Sequence, residues 1–250
     1  MDMAGDTQLL IKKQTNGLEK DMLLSYKLLC EKHSLDDRTS VYDTNNKVSH
    51  LMAERMKQIC SNTSINNCAY KLETYDKPTY MHSVRVAVLC MIIGKLMNFD
   101  KNNIIELGIA GLLHDIGKLL IPINIITKPG KLDEIEKILI NSHSASSAYY
   151  LRENYTSISK NVIVGVVEHH ERLDGTGYPR HLKGNEISLI GRIIAVADIF
   201  EAYSSNRSYH KARTITETIE FMQKLNGLDQ RILNLFICHI DKNNNVIALY

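Results

Sequence analysis

Hydrophobic residues recur along most of the chain at the three- and four-residue intervals typical of α-helices. The pattern is clear from Leu18 to Cys30. It returns over 48–59, 79–97, 103–116, 157–170 and 187–204. Thr214 and Glu217 have the spacing of a capping box and predict a further helix. Because no stretch alternates hydrophobic and polar residues as a strand does, the chain is predicted to fold as an all-α helical bundle.

Loops are predicted where this periodicity stops. HSLDDRTSVYDTNN (33–46) and SNTSINN (61–67) are polar, and KPGKL (128–132) has the composition of a turn. One helix is predicted from about Asp133 into INSHSASSAYYL (140–151), and it contains His143. Residues 1–70 carry no recognisable chemistry and are predicted to form a short helical N-terminal extension to a main domain of residues 71–250.

Composition narrows the classes of protein that fit. The chain is 44% hydrophobic and 23% charged, which is ordinary for a globular protein. Its formal net charge of +2 is too close to zero to favour a nucleic-acid polymer as partner. The apolar run VAVLCMIIG (86–94) is well short of a membrane span, and no signal peptide opens the chain. The scattered cysteines lack C-x-x-C spacing, so they are expected to be free thiols. Free thiols are typical of a reducing compartment, so a cytoplasmic protein is expected.

A set of histidines and aspartates lies on the predicted core helices or at their ends. The set comprises His82, His114, Asp115, His143, His169, His170 and Asp198. Its members are separated by about one helix and its connection, so each helix can present one or two ligands to a common centre. Imidazole and carboxylate donors without thiolates suit iron, manganese, zinc and similar ions. The adjacent pairs His114–Asp115 and His169–His170 can serve two ions or bridge them.

None of these residues is diagnostic alone. A single histidine on a helix is more often a hydrogen-bonded core or surface residue than a metal ligand, and adjacent histidines also arise by chance. The DGTGYP stretch (174–179) can simply end a helix and turn the chain. What indicates a metal site is the whole set of histidines and aspartates, repeated at intervals of about one helix.

Four motifs together resemble the HD-GYP subfamily of HD-domain phosphohydrolases. They are HDIGKLLIP (114–122), KPGKL (128–132), HHERLDGTGYP (169–179) and AVADIFEAYSSNRSYH (195–210). The resemblance runs over about residues 76–236. It implies an HD-domain helical bundle that hydrolyses a cyclic dinucleotide, chiefly cyclic di-GMP, by a metal-activated hydroxide. It also implies two divalent metal ions, iron or manganese.

The resemblance implies a role for each matching residue. The seven histidines and aspartates named above match the metal ligands, and Asp115 matches the aspartate that bridges the two ions in catalysis. Lys118 matches a lysine that contacts phosphate and assists catalysis, and Arg207 matches an arginine that meets the dinucleotide phosphates. Tyr178 and Arg180, in the loop after the paired histidines, are further candidates for substrate binding. In the subfamily this loop also contacts partner proteins, so a homodimer or a signalling-protein contact is expected there.

Several positions depart from the subfamily pattern. Pro78 replaces an acidic residue that helps to hold a third metal ion in some members, which favours a two-metal centre. The usual H-P-x-x-G reads HSASS, the usual aspartate after AVAD is a glutamate, and the usual R-P-Y-R/K reads RSYH. The substituted positions are Ser144, Ser147, Glu201, Ser208 and His210. None of these changes removes a metal ligand.

Two other functions stay open. One is a catalytically weak or inactive member that binds a cyclic dinucleotide or a partner protein, which the altered HSASS and RSYH segments favour. The other is an HD hydrolase of another phosphoester. Bound metal without release of linear dinucleotide would indicate the binding protein. A panel of substrates would distinguish the hydrolase of another phosphoester from a cyclic dinucleotide phosphodiesterase. The sequence leaves open whether the product is a linear dinucleotide or a mononucleotide.

Overall fold

Helices make up most of the structure, a computed structural model that describes residues 17–27, 46–155, 158–205, 213–238, 240–241 and 246–247. The α-helices are α1 (17–27), α2 (Asn46–Ser61), α3 (Thr63–Tyr75), α4 (Lys77–Leu96), α5 (Lys101–Leu113), α6 (Ile123–Ile126), α7 (Glu134–Asn141), α8 (His143–Asn154), α9 (Lys160–Glu168), α10 (Leu189–Ser204), α11 (Ile215–Gln223) and α12 (Gln230–Cys238). Two short 3-10 helices cover Ile116–Leu120 and Gly184–Glu186. The predicted all-α bundle is confirmed.

The central element is α4, which packs against α5 and α10. It has the length and hydropathy of a membrane-spanning helix, but 78% of its most apolar stretch is buried inside the bundle. Its contact with α5 is close at Gly111, where an added Cβ would lie 2.9 Å from the Ala87 Cα. The hydrophobic character of α4 is therefore that of a core helix, and it gives a rigid base to the residues along its length.

The N-terminal helices share the main hydrophobic core. Leu18 and Met22 of α1 and Met52 and Met56 of α2 are buried in the same cluster as the core residues of α4 and α5. The division into an extension of residues 1–70 and a domain of 71–250 stays a prediction. The polar stretch 33–46 lies outside the described residues except for its last position.

Two local predictions were wrong. The stretch SNTSINN was predicted to be a loop, but α3 begins within it at Thr63. Asn62 caps this helix, because its side chain accepts a hydrogen bond from the Ile65 N–H. Burial of Ile65 and Cys68 outweighs the polar composition of this turn. The helix predicted from Asp133 through His143 is divided at Ser142 into α7 and α8.

The C-terminal part supports α10 from one side. The Thr214–Glu217 capping box is present at the start of α11. The Phe236 ring of α12 packs edge-on against Phe200 of α10, with ring centres 4.9 Å apart. β1 (Ile240–Asp241) and β2 (Val246–Ile247) form a two-residue antiparallel ribbon after α12.

One close approach sets the frame of the site. The first turn of α8 lies directly against the 3-10 helix that follows α5. A Cβ on Gly117 would lie 2.2 Å from the His143 carbonyl oxygen and 2.4 Å from the Ser147 nitrogen. Only glycine permits this contact, which brings the start of α8 to the end of α5.

Candidate metal centre

The predicted histidines and aspartates converge in one buried cluster. They come from five segments: His82 from α4, His114 and Asp115 from the end of α5, His143 from the start of α8, His169 and His170 from the end of α9, and Asp198 from α10. All are buried except His170, which is half-buried. Among the described residues, two groups have ligand atoms within 4.8 Å of one another: His143, His169 and His170, and His82, His114 and Asp115.

Helix ends fix the orientation of three of these rings. The last carbonyls of a helix have no partner within the helix, and here histidine side chains bind them. Each ring Nδ1 donates to the carbonyl three residues earlier: His114 to Gly111 at 2.7 Å, His143 to Ile140 at 2.6 Å, and His169 to Val166 at 2.6 Å. Because a carbonyl only accepts, the proton of each neutral ring is on Nδ1, and the Nε2 lone pair faces the centre.

The first donor group gathers its polar atoms around His143 Nε2. His143 Nε2 lies 3.2 Å from His169 Nε2 and 3.2 Å from His170 Nε2. It also lies 3.2 Å from Asp115 Oδ1. With the Nδ1 atoms of His143 and His169 protonated, the contact between their Nε2 atoms brings two acceptors together. A cation among these atoms would turn their repulsion into coordination.

The second donor group is built around His82. Its Nε2 lies 3.0 Å from Asp198 Oδ1 and 3.7 Å from Asp115 Oδ2. His114 Nε2 lies 3.3 Å from the same Asp115 oxygen. Asp115 therefore stands between the two groups, with Oδ1 directed at His143 and Oδ2 directed at His82 and His114.

Burial keeps three imidazoles uncharged. It lowers the pKa of His143 to about 4, although the nearby Asp115 carboxylate acts in the opposite direction. Burial, with repulsion from neighbouring histidines, also holds the pKa values of His169 and His170 well below their usual range. At neutral pH these rings are uncharged and each keeps a nitrogen lone pair.

The two aspartates remain ionised in the same surroundings. Burial would raise the pKa of Asp115, but the Lys118 ammonium and His114 outweigh burial and hold that pKa well below its usual range. Burial likewise opposes ionisation of Asp198, and the contact with His82 overcomes it, so the pKa of Asp198 is also low. A buried set of carboxylates and neutral imidazoles is the donor chemistry of a first-row divalent ion.

A buried carboxylate orients His82 from outside the cluster. Glu201, 1% exposed, accepts a hydrogen bond from His82 Nδ1 through one oxygen and from Arg85 Nε through the other. This is the arrangement by which a second residue fixes a ligating histidine. Sequence reasoning missed Arg85, although its position three residues after His82 places both side chains on one face of α4.

A cleft of about 680 Å³ reaches the cluster at Lys118. Lys118 Nζ lies 2.7 Å from Asp115 Oδ2. The cleft combines cations with an apolar wall, formed by Arg85, Lys118, Lys128, Met81, Ile125, Ile126, Leu132 and Ile140. Its volume falls within the roughly 300–1,000 Å³ of small-molecule sites.

Comparison with known proteins places this cluster in a family. Residues 49–232 match the HD domain family. The chain belongs to the HD domain family. The motifs predict a resemblance to HD-GYP phosphodiesterases, and curated relatives confirm it.

Two curated relatives are cyclic dinucleotide phosphodiesterases by name. Cyclic di-GMP phosphodiesterase PA4108 of Pseudomonas aeruginosa is 39% identical over 67% of this chain and 40% of its own length. The 3'3'-cGAMP-specific phosphodiesterase 1 of Vibrio cholerae is 38% identical over 64% of this chain and 37% of its own length. The chain thus spans about two fifths of the length of these relatives.

A solved structure shares the fold. Bd1817, an HDG"Y"P protein from Bdellovibrio bacteriovorus, aligns over 86% of this chain and 75% of its own, with a TM-score of 0.54. At 15% sequence identity, this likeness concerns the fold alone.

The loop after the paired histidines of this HD domain is held by two buried glutamates. Glu171, 2% exposed, accepts hydrogen bonds from the Arg180 N–H at 2.6 Å and from the Leu182 N–H at 3.0 Å. Glu168 binds the Arg180 guanidinium and the Ser188 N–H. The loop is therefore a fixed wall of the site.

The predicted substrate residues of the loop differ in their placement. The Tyr178 ring stacks on His170, with ring centres 4.7 Å apart, and so lies at the cluster. The Arg180 side chain is half exposed and its guanidinium is engaged by Glu168. Arg207, the remaining predicted substrate residue, lies outside the described residues, as do Ser208 and His210.

Replacing Glu171 by glutamine is expected to loosen this loop. One of the two backbone N–H groups would face an amide N–H₂ in place of an acceptor, at a cost of about 1–3 kcal/mol in the free energy of unfolding. Urea unfolding measures that cost, and amide hydrogen exchange over 178–184 is expected to become faster.

Glu186→Gln is the matched control, because Glu186 is an exposed glutamate of the same loop that accepts from the Lys183 N–H. Its stability is expected to stay within about 0.5 kcal/mol of the parent chain. Equal stability and equal exchange for both variants would contradict the role given to Glu171.

Proposed function

We propose that this chain is a metal-dependent phosphodiesterase that hydrolyses a cyclic dinucleotide, with cyclic di-GMP as the first substrate to test. The observation that carries the proposal is the position of Asp115, which directs one carboxylate oxygen at each of two donor groups. A two-ion phosphoesterase site needs such a shared ligand. The names of the curated relatives agree with this reaction class.

Two divalent ions would be held by the two donor groups. His82, His114, Asp198 and Asp115 would hold one ion, and His143, His169, His170 and Asp115 would hold the other. Nitrogen and oxygen donors without thiolates fit iron or manganese. When bound, such ions supply Lewis-acid activation of water and polarise a phosphoryl oxygen.

The residues of the cleft would bind and orient the substrate. A cyclic dinucleotide carries two phosphodiester charges and two flat bases, and the cleft offers both cations and an apolar wall. Lys118 would contact a nonbridging phosphate oxygen next to the reacting phosphorus, because its ammonium lies directly at Asp115. Arg85 is placed to add a second contact from the same cleft.

The loop and the C-terminal motif supply further candidates. Tyr178 stacks on His170 and would bound the site on the loop side. Roles for Arg180 and Arg207 in substrate binding, and a homodimer or signalling-protein contact through the loop, stay predictions. A cytoplasmic location also stays a prediction.

Cyclic di-GMP competes with one specific alternative. A relative at 38% identity is named as specific for 3'3'-cGAMP, so a hybrid cyclic dinucleotide is the second candidate substrate. Both molecules have the same phosphodiester ring and differ in one base. The choice therefore depends on the base contacts and not on the metal centre.

Turnover of both dinucleotides by the metal-loaded chain tests the function. The chain is to be loaded anaerobically with Fe²⁺ or Mn²⁺, and chromatography then separates linear dinucleotide from mononucleotide. Asp115→Ala is expected to lower turnover by more than about 100-fold and to lower the metal content, because both ions lose a shared ligand.

Asp100→Ala is the control, since Asp100 is an exposed cap of α5 outside the cluster. It is expected to keep both metal and turnover. A fully loaded parent chain that binds cyclic di-GMP without cleaving it would identify a binding protein instead of an enzyme. An Asp115→Ala variant with full turnover would refute the assignment of the centre.

Lys118→Ala separates substrate binding from metal binding. Removal of the ammonium is expected to lower kcat/KM by roughly 10- to 100-fold, because charge on the phosphate oxygens loses a stabilising partner. Metal content by elemental analysis is expected to stay unchanged. Lys137→Ala, which removes an exposed lysine paired with Glu134, serves as the control. Unchanged kinetics in Lys118→Ala would remove Lys118 from the site.

A further inference from the structure

Ser147 connects two ligand-bearing segments that are distant in sequence. Its hydroxyl oxygen accepts a hydrogen bond from the Gly117 N–H at 2.7 Å and donates one to the His114 carbonyl at 2.9 Å. Ser147 itself belongs to α8, one turn after His143. We propose that Ser147 is a positioning residue that clamps the His114–Asp115 turn to the helix carrying His143. The proposal rests on the metal centre proposed above.

The clamp joins buried groups at the end of a helix. The His114 carbonyl lies at the end of α5, where carbonyls are no longer bonded within the helix. Gly117 and Ser147 are buried, so water is excluded from the N–H and from the hydroxyl. One hydroxyl serves both as acceptor and as donor here, which an alanine or a glycine side chain cannot do.

The position of the clamp determines what it controls. Asp115 lies between the two residues that Ser147 binds, and its Oδ1 is 3.2 Å from His143 Nε2. Gly117 lets the backbone of the turn after His114 lie directly against the backbone of α8. The Ser147 hydroxyl then fixes the position of one segment relative to the other. Separation of the two segments would move Asp115 away from His143 and divide the shared ligand from one donor group.

The serine is a departure from the subfamily pattern, which has glycine at this position. In the sequence, the altered HSASS segment favoured a weakened enzyme. In the structure, the hydroxyl adds two hydrogen bonds next to the proposed bridging ligand. The other departure in the segment, Ser144, is also fully buried, but its hydroxyl makes no hydrogen bond among the described residues.

Comparison of Ser147→Ala with Ser144→Ala tests the proposal. Both variants remove one buried hydroxyl from the same turn of α8, and only the first removes the clamp. Mn²⁺ affinity is to be measured by competition with a chelator, well below the melting temperature of each variant. Ser147→Ala is expected to bind Mn²⁺ about 10- to 100-fold more weakly than the parent, as loss of a group that orients ligands does. Ser144→Ala is expected to match the parent.

A second readout does not depend on metal. The Lys118 N–H bonds to the Asp115 carbonyl and not to Ser147, so its hydrogen exchange in the metal-free chain reports whether the turn is held. Faster exchange of this amide in Ser147→Ala, with unchanged exchange in α4, is expected.

The outcomes separate the two proposals. A parent chain that binds no Mn²⁺ or Fe²⁺ would refute the proposed function, and the exchange of the Lys118 amide would still decide on the clamp. Equal Lys118 exchange in the parent and in both variants would overturn the clamp. Equal Mn²⁺ affinity of all three metal-binding chains would also overturn it, because Ser147 would then act on stability alone.

Discussion

The contact of the Asp115 carboxylate with imidazoles on both sides is the interaction on which the site depends. The buried Asp115 carboxylate has lost its water, and burial keeps the His143 ring beside it uncharged, so this side of the carboxylate meets a lone pair and not a compensating charge. Lys118 compensates one oxygen at 2.7 Å. With Nδ1 of His143 and His169 protonated, their Nε2 atoms and Asp115 Oδ1 are acceptors that lie together, which gives this place a preference for a cation.

Helix ends produce this preference by simple means. The bundle directs the C-terminal ends of α5 and α9 at one point, where their unpaired carbonyls accept from histidine Nδ1 atoms. Each bond removes one orphan acceptor and leaves an Nε2 lone pair directed inward. The partial negative charge of a helix C-terminus also favours a cation. The backbone geometry and the ligand chemistry thus both favour a cation at this point. Gly117 allows α8, which carries His143, to approach the ends of α5 and α9.

Much of this arrangement could be predicted from the sequence, since helical periodicity located the core helices and histidine spacing located the cluster. The rest depends on tertiary contacts that leave no periodic signal. The break at Ser142 places His143 at a helix start, and burial of Ile65 makes a helix from a polar stretch. The hydrogen bonds of Glu201 and Ser147 join residues far apart in sequence, so their partners appear only in the folded chain.

Anomalous X-ray diffraction from crystals loaded with Fe²⁺ or Mn²⁺ tests the centre most directly. Two peaks are expected, one among His82, His114 and Asp198 and the other among His143, His169 and His170. Each is expected at about 2.0–2.3 Å from an oxygen of Asp115, the distance of a first-row ion from a carboxylate. A single peak without contact to Asp115, or metal bound only outside the cluster, would contradict the shared-ligand centre.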